Sequence, residues 1–264
     1  MAPDNFDIHQ PYMHPGYLNL LKHGTPMMLN NSRAGAKDYA RWLDIAVDRI
    51  KVVHNGMEFP PRPDEQQIAA FRKSHSLPEK AKVVGGILRF SEEKQPQLWI
   101  DTAAEVIKTR PDAMAIGFGG GEMLKKMRNY VELLGLQDRV LLPGVTDEAW
   151  LAAASMDVFV MTSRKEGFPN VLLEAQGMGV PVVCTATGGM PETYIEGKTG
   201  ISVPEATPKA LARECLLLLD DNNRLQFMGK HAYEHVRKEY NVNRMVEETF
   251  RIYETTKSRA ISHV

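Results

Sequence analysis

From Lys82 onward, short continuous apolar runs alternate with stretches whose apolar residues recur at helical spacing. The runs VVGGILRF (83–90), AMAIGF (113–118), VLLP (140–143), DVFVMTS (157–163), PVVCTA (181–186) and GISV (200–203) read as buried strands. Between them, 95–109 gathers Leu98, Ile100, Ala103, Ala104, Val106 and Ile107 at helical spacing, and 122–134 and 147–154 also read as helices. Another helix starts near Pro169, since a proline suits the first turn. From Pro208 to about Thr256 the pattern gives two or three more. Strands that do not alternate, each followed by a helix, indicate a parallel sheet covered on both faces. Right-handed crossovers make this an α/β, doubly wound fold. Ligands of such sheets bind beyond the carboxyl ends of the strands. The loops after Phe90, Phe118, Pro143, Ser163 and Ala186 are therefore expected to face one cleft.

The first 80 residues differ. They offer helical pieces at 17–23, 36–43 and 66–75 and two candidate short strands, PMMLN (26–30) and KVVHNG (51–56). PPRPDE (60–65) reads as a connector. So few strands cannot build a second doubly wound domain, and the segment resembles the tail end of one.

Composition narrows the function classes. The 264 residues are 43% hydrophobic and 25% charged, as in ordinary soluble globular proteins. A net charge of -1 supplies no broad basic field, so no nucleic-acid partner is expected. Cys184 and Cys215 have no CxxC or ligand spacing and read as small buried hydrophobes in a reducing compartment. No apolar run approaches the ~18–20 residues that span a bilayer. The polar, proline-rich start is no signal peptide. The expected location is cytoplasmic, with at most peripheral contact at the inner face of the membrane.

The glycine cluster Gly117-Phe-Gly119-Gly120-Gly121 lies between a strand and a helix, where a dinucleotide fingerprint would stand. Its third glycine position is Glu122 or Leu124, however. A tight turn requiring positive φ is the simpler reading, and a nicotinamide-dependent oxidoreductase is disfavoured. Glu166-Gly-Phe-Pro-Asn-Val-Leu-Leu-Glu174 is sharper. A helix starting at Pro169 leaves Glu166 in the preceding loop and carries Glu174 more than a turn inside. The free N–H groups near Asn170 and Val171 can receive an anion, and the carboxylates can accept hydroxyl hydrogens on either side of it. Arg89 ends the first strand and Lys94 follows ahead of a helix, so both would stand at the same sheet edge, suited to a diphosphate. The chain contains no Asp-x-Asp that would hold a divalent metal there. Thr187-Gly188-Gly189-Met190-Pro191-Glu192 adds a turn where backbone can approach a ligand, with Pro191 at a helix start. His231 and His235, one helical turn apart, lack a third ligand and read as a solvated helix face.

In this order the motifs resemble the C-terminal domain of family 4 glycosyltransferases, retaining enzymes of the GT-B fold with a Rossmann-like sheet. The resemblance runs from about residue 50 to 253. It rests on RIKVVHNG, the Arg89…Lys94 pair, GFGGGE, RVLLPGVTD and DVFVMTSRKEGFPNVLLEAQGMGVPVVCTATGGMPE. It implies that Arg89 and Lys94 neutralise the donor diphosphate. Glu166, as the catalytic-site carboxylate, would bind a hydroxyl of the transferred sugar, with Gly167, Phe168, Pro169 and Asn170 completing that pocket. Glu174 would take the ribose hydroxyls and Val145 would lie near the base. No metal and no cofactor are implied beyond a UDP- or GDP-linked sugar as donor substrate.

On the same resemblance, residues 1–55 would be a remnant of an acceptor domain and 56–240 the donor-binding domain. Residues 241–264 would be a helix packing back toward the N-terminal part. Only 54 residues precede Asn55, starting near the family's NNSRAGAKDYARWL segment, so the acceptor domain is expected to be truncated or supplied by a partner chain. His9 and His14 stand near where an acceptor-side histidine would be sought. The implied reaction is hexosyl transfer to a polysaccharide or lipid-linked acceptor with retention of configuration, as in polysaccharide biosynthesis. The alternatives are a lone nucleotide-sugar-binding module with little transfer activity, and a GT-B nucleotide-sugar epimerase.

Overall fold

A computed structural model describes residues 13–23 and 27–261, with side chains described to residue 256. His9 lies outside the described residues. The N-terminal part contains α1 (Met13–His23), β1 (Met28–Asn30), α2 (Arg33–Leu43) and β2 (Ile50–Val52). β1 and β2 pair in parallel around α2, a minimal βαβ unit. Ser32 caps α2 by accepting from the Gly35 N–H, which explains why the helix starts three residues earlier than its apolar pattern.

The main sheet holds six parallel strands in the order β5-β4-β3-β6-β7-β8. These are β3 (Lys82–Ile87), β4 (Ala113–Phe118), β5 (Val140–Gly144), β6 (Val158–Met161), β7 (Val182–Thr185) and β8 (Gly200–Val203). Preceding and between them run α3 (Glu65–Ser74), α4 (Pro96–Thr109), α5 (Leu124–Leu133), α6 (Ala149–Ala154) and α7 (Asn170–Gly177). Three helices follow: α8 (Pro208–Asp220), α9 (Asn222–Glu239) and α10 (Val242–Ile261).

Neighbouring strand residues point to opposite faces, and both faces are buried, which is why the strands read as unbroken apolar runs. Val84, Ala115, Val158, Val160 and Val183 pack with Trp99 and Ile100 of α4, Met127 of α5 and Leu218 of α8. Val83, Ile116, Phe159, Val182 and Cys184 pack with Phe71 of α3, Ala152 of α6, Leu172 of α7 and Met178 just after it. Cys184 and Cys215 thus lie in the cores on opposite faces, both as free thiols. Burial pushes the Cys184 thiol up to about 12 and raises Cys215 as well, so neither is a reactive thiolate.

Strand order reverses between β3 and β6: from β3 the chain winds outward to β5, then returns to β6 and winds the other way. That junction is the topological switch point, where a crevice opens beyond the carboxyl ends. No helix among the described residues is long and apolar enough to cross a membrane. α10 begins against the linker after β2. The Gly56 N–H lies 3.1 Å from Met245 Sδ, and the Met57 N–H donates to the Tyr240 carbonyl at 2.9 Å.

Candidate functional site

The loops at the carboxyl edge are laced together by backbone hydrogen bonds. Phe90 N–H donates to Gly120 and Gly119 N–H to Gly144, each at 2.8 Å, joining the loops after β3, β4 and β5. Arg164 N–H donates to Glu93 at 2.7 Å across the switch point, and Gly189 N–H to Glu166 at 3.3 Å ties the loop after β7 to that after β6. The expected clustering of five loops is therefore observed. β3 ends at Ile87 rather than Phe90, because the chain bends there to follow the glycine turn. Gly119 and Gly121 have φ of 131° and 146°, and a Cβ on Gly119 would lie 1.9 Å from the Leu88 carbonyl oxygen. The cluster is thus a tight turn laid on backbone, as its spacing implied.

Lys94 and Glu166 come from loops on opposite sides of the switch and form an ion pair with Nζ on Oε1. Glu166 is only 9% exposed. Lys94 is aimed by its backbone: Gln95 takes a left-handed conformation, φ 48°, just before α4. The Thr162 hydroxyl, buried at the end of β6, donates to the Lys94 carbonyl at 2.9 Å. Sequence reading gave Thr162 no role, and only the pairing of β3 with β6 places it there. Arg89 is exposed at the same edge, and its guanidinium forms no hydrogen bond or ion pair with another described residue. The Ser91 hydroxyl, aided by Lys94 and Arg89, holds the Glu93 carboxyl below its ordinary value. Val145, 76% exposed, flanks the glycine turn: a Cβ on Gly120 would lie 3.2 Å from its Cγ2.

α7 begins at Asn170 without a side-chain cap, so its first N–H groups remain available. Within it Glu174 is half-buried, and its carboxylate has no hydrogen-bond or ion-pair partner among the described residues. Burial raises its carboxyl above the ordinary range. An unpartnered, desolvated carboxylate at the carboxyl edge is a candidate for meeting a ligand.

Because the folded-state value is raised, ionised Glu174 costs the folded state more than the unfolded one. Its contribution to stability is full below the unfolded carboxylate range and is lost as pH rises through the raised value. Ligand-free Glu174→Gln should melt higher than the parent at neutral pH, and the gap should close below about pH 4. Thermal melts of both across that range measure it, and a constant gap would contradict the burial effect.

The 167–170 segment divides by side chain and backbone. Phe168 is buried in an apolar cluster with Leu173, Val236 and Tyr240 and stacks on His54 at 5.0 Å. Pro169 is also buried, so neither side chain faces the cleft. Asn170 is exposed but receives the Asn55 amide at 2.7 Å. What this segment offers a ligand is backbone.

Glu192 closes a 3-10 turn, Met190–Glu192, and joins the N-terminal part to the sheet. Its carboxylate accepts from the backbone N–H groups of Arg33 and Ala34 at 2.8 Å each and from His54 Nε2 at 2.9 Å. Burial works to raise its pKa, but these hydrogen bonds prevail and leave it lowered. The sequence showed a turn with Pro191 at a helix start and gave no sign of these distant partners. His14 instead packs on Trp42, its Nε2 3.1 Å from the Trp42 carbonyl. His231 bonds the Phe227 carbonyl and His235 meets Tyr240 edge-on. No group of three metal-ligating side chains converges among the described residues.

Comparison with known proteins adds three findings. Residues 67–235 match the family described as Glycosyl transferases group 1. The chain is 32% identical over 191 residues to the Vi polysaccharide biosynthesis protein VipC/TviE of Salmonella typhi, covering 71% of this chain and 33% of that protein. It is 31% identical over 221 residues to a D-inositol 3-phosphate glycosyltransferase of Corynebacterium urealyticum, covering 79% and 52%. The chain thus spans from a third to about half the length of these curated relatives. Among solved structures, Anabaena Alr3699/HepE in complex with UDP superimposes with a TM-score of 0.85 at 22% identity, covering 97% of this chain and 71% of that one. The C-terminal domain of a glycosyl transferase group 1 family protein (LpcC) from Francisella tularensis gives 0.61 at 25% identity, covering 70% and 96%.

Proposed function

Because the chain belongs to the glycosyl transferases group 1, we propose that it binds a nucleoside-diphosphate sugar at the β3/β6 switch point and transfers the hexosyl unit to a glycan or lipid-linked acceptor. The observation that carries this reading is the meeting of Lys94 with Glu166 across the switch, beside an uncapped α7 that holds the unpartnered Glu174. Lys94 and exposed Arg89 supply the counter-charge for a diphosphate, aided by the first N–H groups of α7. Glu166, next to Lys94, meets a hydroxyl of the sugar attached to that diphosphate. Glu174, more than a turn into α7, takes the ribose hydroxyls, and Val145 lies against the base. The UDP and glucose bound by the structural neighbour Anabaena Alr3699/HepE make UDP-linked hexoses the donors to try first, with GDP-linked hexoses next.

In the transfer, the acceptor hydroxyl oxygen bonds to the anomeric carbon and gives up its proton as the bond from that carbon to a phosphate oxygen breaks, and negative charge grows on the departing diphosphate. Preorganised cations and N–H groups stabilise that charge more than they stabilise the ground state. Family 4 membership, retention of configuration and metal independence belong to this proposal. So do the division into an acceptor-side remnant (1–55), a donor domain (56–240) and a returning helix (241–264), and an inner-face, cytoplasmic location. A lone donor-binding module is the second reading, since every group assigned to the donor stands on the six-stranded sheet, its loops and α7. Binding without transfer to any acceptor would select it, and conversion of the donor sugar itself would indicate an epimerase.

A nucleoside diphosphate should stabilise the chain in the presence of chelator. At one hundred times its dissociation constant the gain should be about 2.7 kcal/mol. If chelator abolishes the thermal shift, the metal-free counter-charge is wrong.

A further inference from the structure

Glu192 makes contacts that the donor reading does not use. One end of its segment is fastened to the N-terminal part, through the Arg33 and Ala34 N–H groups in the first turn of α2 and through His54. Tyr240 adds a hydroxyl hydrogen bond to the Glu192 carbonyl. The other end of the segment lies on the loop that carries Glu166. A Cβ on Gly188 would stand 2.0 Å from the Glu166 carbonyl oxygen, and one on Gly189 would stand 1.9 Å from that of Gly167. A Cβ on Gly189 would also stand 2.8 Å from Cβ of Ser32, the cap of α2. Backbone pressed this closely against backbone cannot shift alone.

A carboxylate at a helix N-terminus satisfies N–H groups that the helix leaves unpaired. Receiving two of them, one on each oxygen, also fixes its orientation. We propose that Glu192 is a positioning residue for the donor sugar: by tying 187–192 to α2 and His54, it sets where Glu166 and the Gly167 backbone stand. This rests on the placement of the sugar at Glu166. It makes the N-terminal part a determinant of donor-sugar binding through a contact that touches no ligand.

Glu192→Gln keeps the size of the side chain but turns one acceptor into a donor, so an N–H of α2 or His54 is left facing another donor. In hydrogen exchange of the ligand-free protein, segments 33–36, 166–170 and 187–190 should lose protection together. In calorimetric titration, UDP-glucose or the best-binding sugar nucleotide should weaken about tenfold, with the bare diphosphate within about twofold of the parent. Tyr240→Phe keeps its ring in the apolar cluster and removes only the hydroxyl, so it should give a smaller shift of the same pattern. Loss of protection confined to 33–36, or equal weakening of both ligands, overturns the proposal. A parent protein that binds neither ligand overturns the donor reading and the sugar half of this one with it. The exchange measurement then still decides whether Glu192 couples α2 to the Glu166 loop.

Discussion

Lys94→Met should bind a nucleoside diphosphate roughly tenfold to a hundredfold more weakly than the parent, while its affinity for the nucleoside stays the same. A charge-assisted hydrogen bond contributes about 1.5–3 kcal/mol, which sets that range. The substitution also leaves Glu166 without its cation in a nearly closed environment, at a cost of about 1–3 kcal/mol in stability. These two effects separate. Pairing Lys94→Met with Glu166→Gln removes the stranded carboxylate and should recover part of the stability, because each single change in the pair leaves a partner unmatched. It should recover none of the diphosphate affinity, since the lost cation is still absent. Titration with nucleoside and diphosphate, alongside chemical denaturation of the three variants, provides the comparison. Equal weakening of nucleoside and diphosphate would show that Lys94 does not meet the phosphates.

Glu166→Gln and Glu174→Gln, taken singly, should divide the donor between them. Glu174 has no protein partner to release and sits more than a turn beyond the α7 start, so it should lose the ribose contact in every nucleotide. Its amide can accept at only one end, and a drop of roughly tenfold to a hundredfold is expected equally for bare diphosphate and sugar nucleotide. The ligand-free variant is at the same time the more stable at neutral pH, a trade of stability for binding. Glu166→Gln should weaken only the sugar-bearing donor, and it frees Lys94 from its carboxylate, so the bare diphosphate should bind as well or slightly better. In a transfer assay it should lower turnover too, because a sugar contact acts through orientation of the reacting carbon. Should Glu166→Gln weaken both ligands equally, the assignment of the two carboxylates is wrong.

The periodicity of the chain determined the element order and both faces of the sheet. Ala113–Phe118 and Gly200–Val203 coincide with their predicted runs, because a strand buried on both sides is apolar at nearly every position, half-exposed Ser202 being the exception. It also placed Glu166 in a loop and Glu174 on the following helix, since Pro169 marks a helix start through its own backbone geometry. The glycine turn was legible for the same local reason. The partners were not. Lys94 finds Glu166 across 72 positions, and Arg33 finds Glu192 across 159. Which loops become neighbours depends on strand order, and the same succession of strands and helices is compatible with other orders. Only the reversal between β3 and β6 brings Thr162 under the Lys94 backbone and Glu166 onto its ammonium. Phe168 likewise reads as part of a ligand loop, yet the docking of α9 and His54 beside it draws its side chain into a core. Local pattern reports backbone conformation and burial; the pairing of charges, and the lack of a partner for the Glu174 carboxylate among the described residues, arise from packing between segments far apart in the chain.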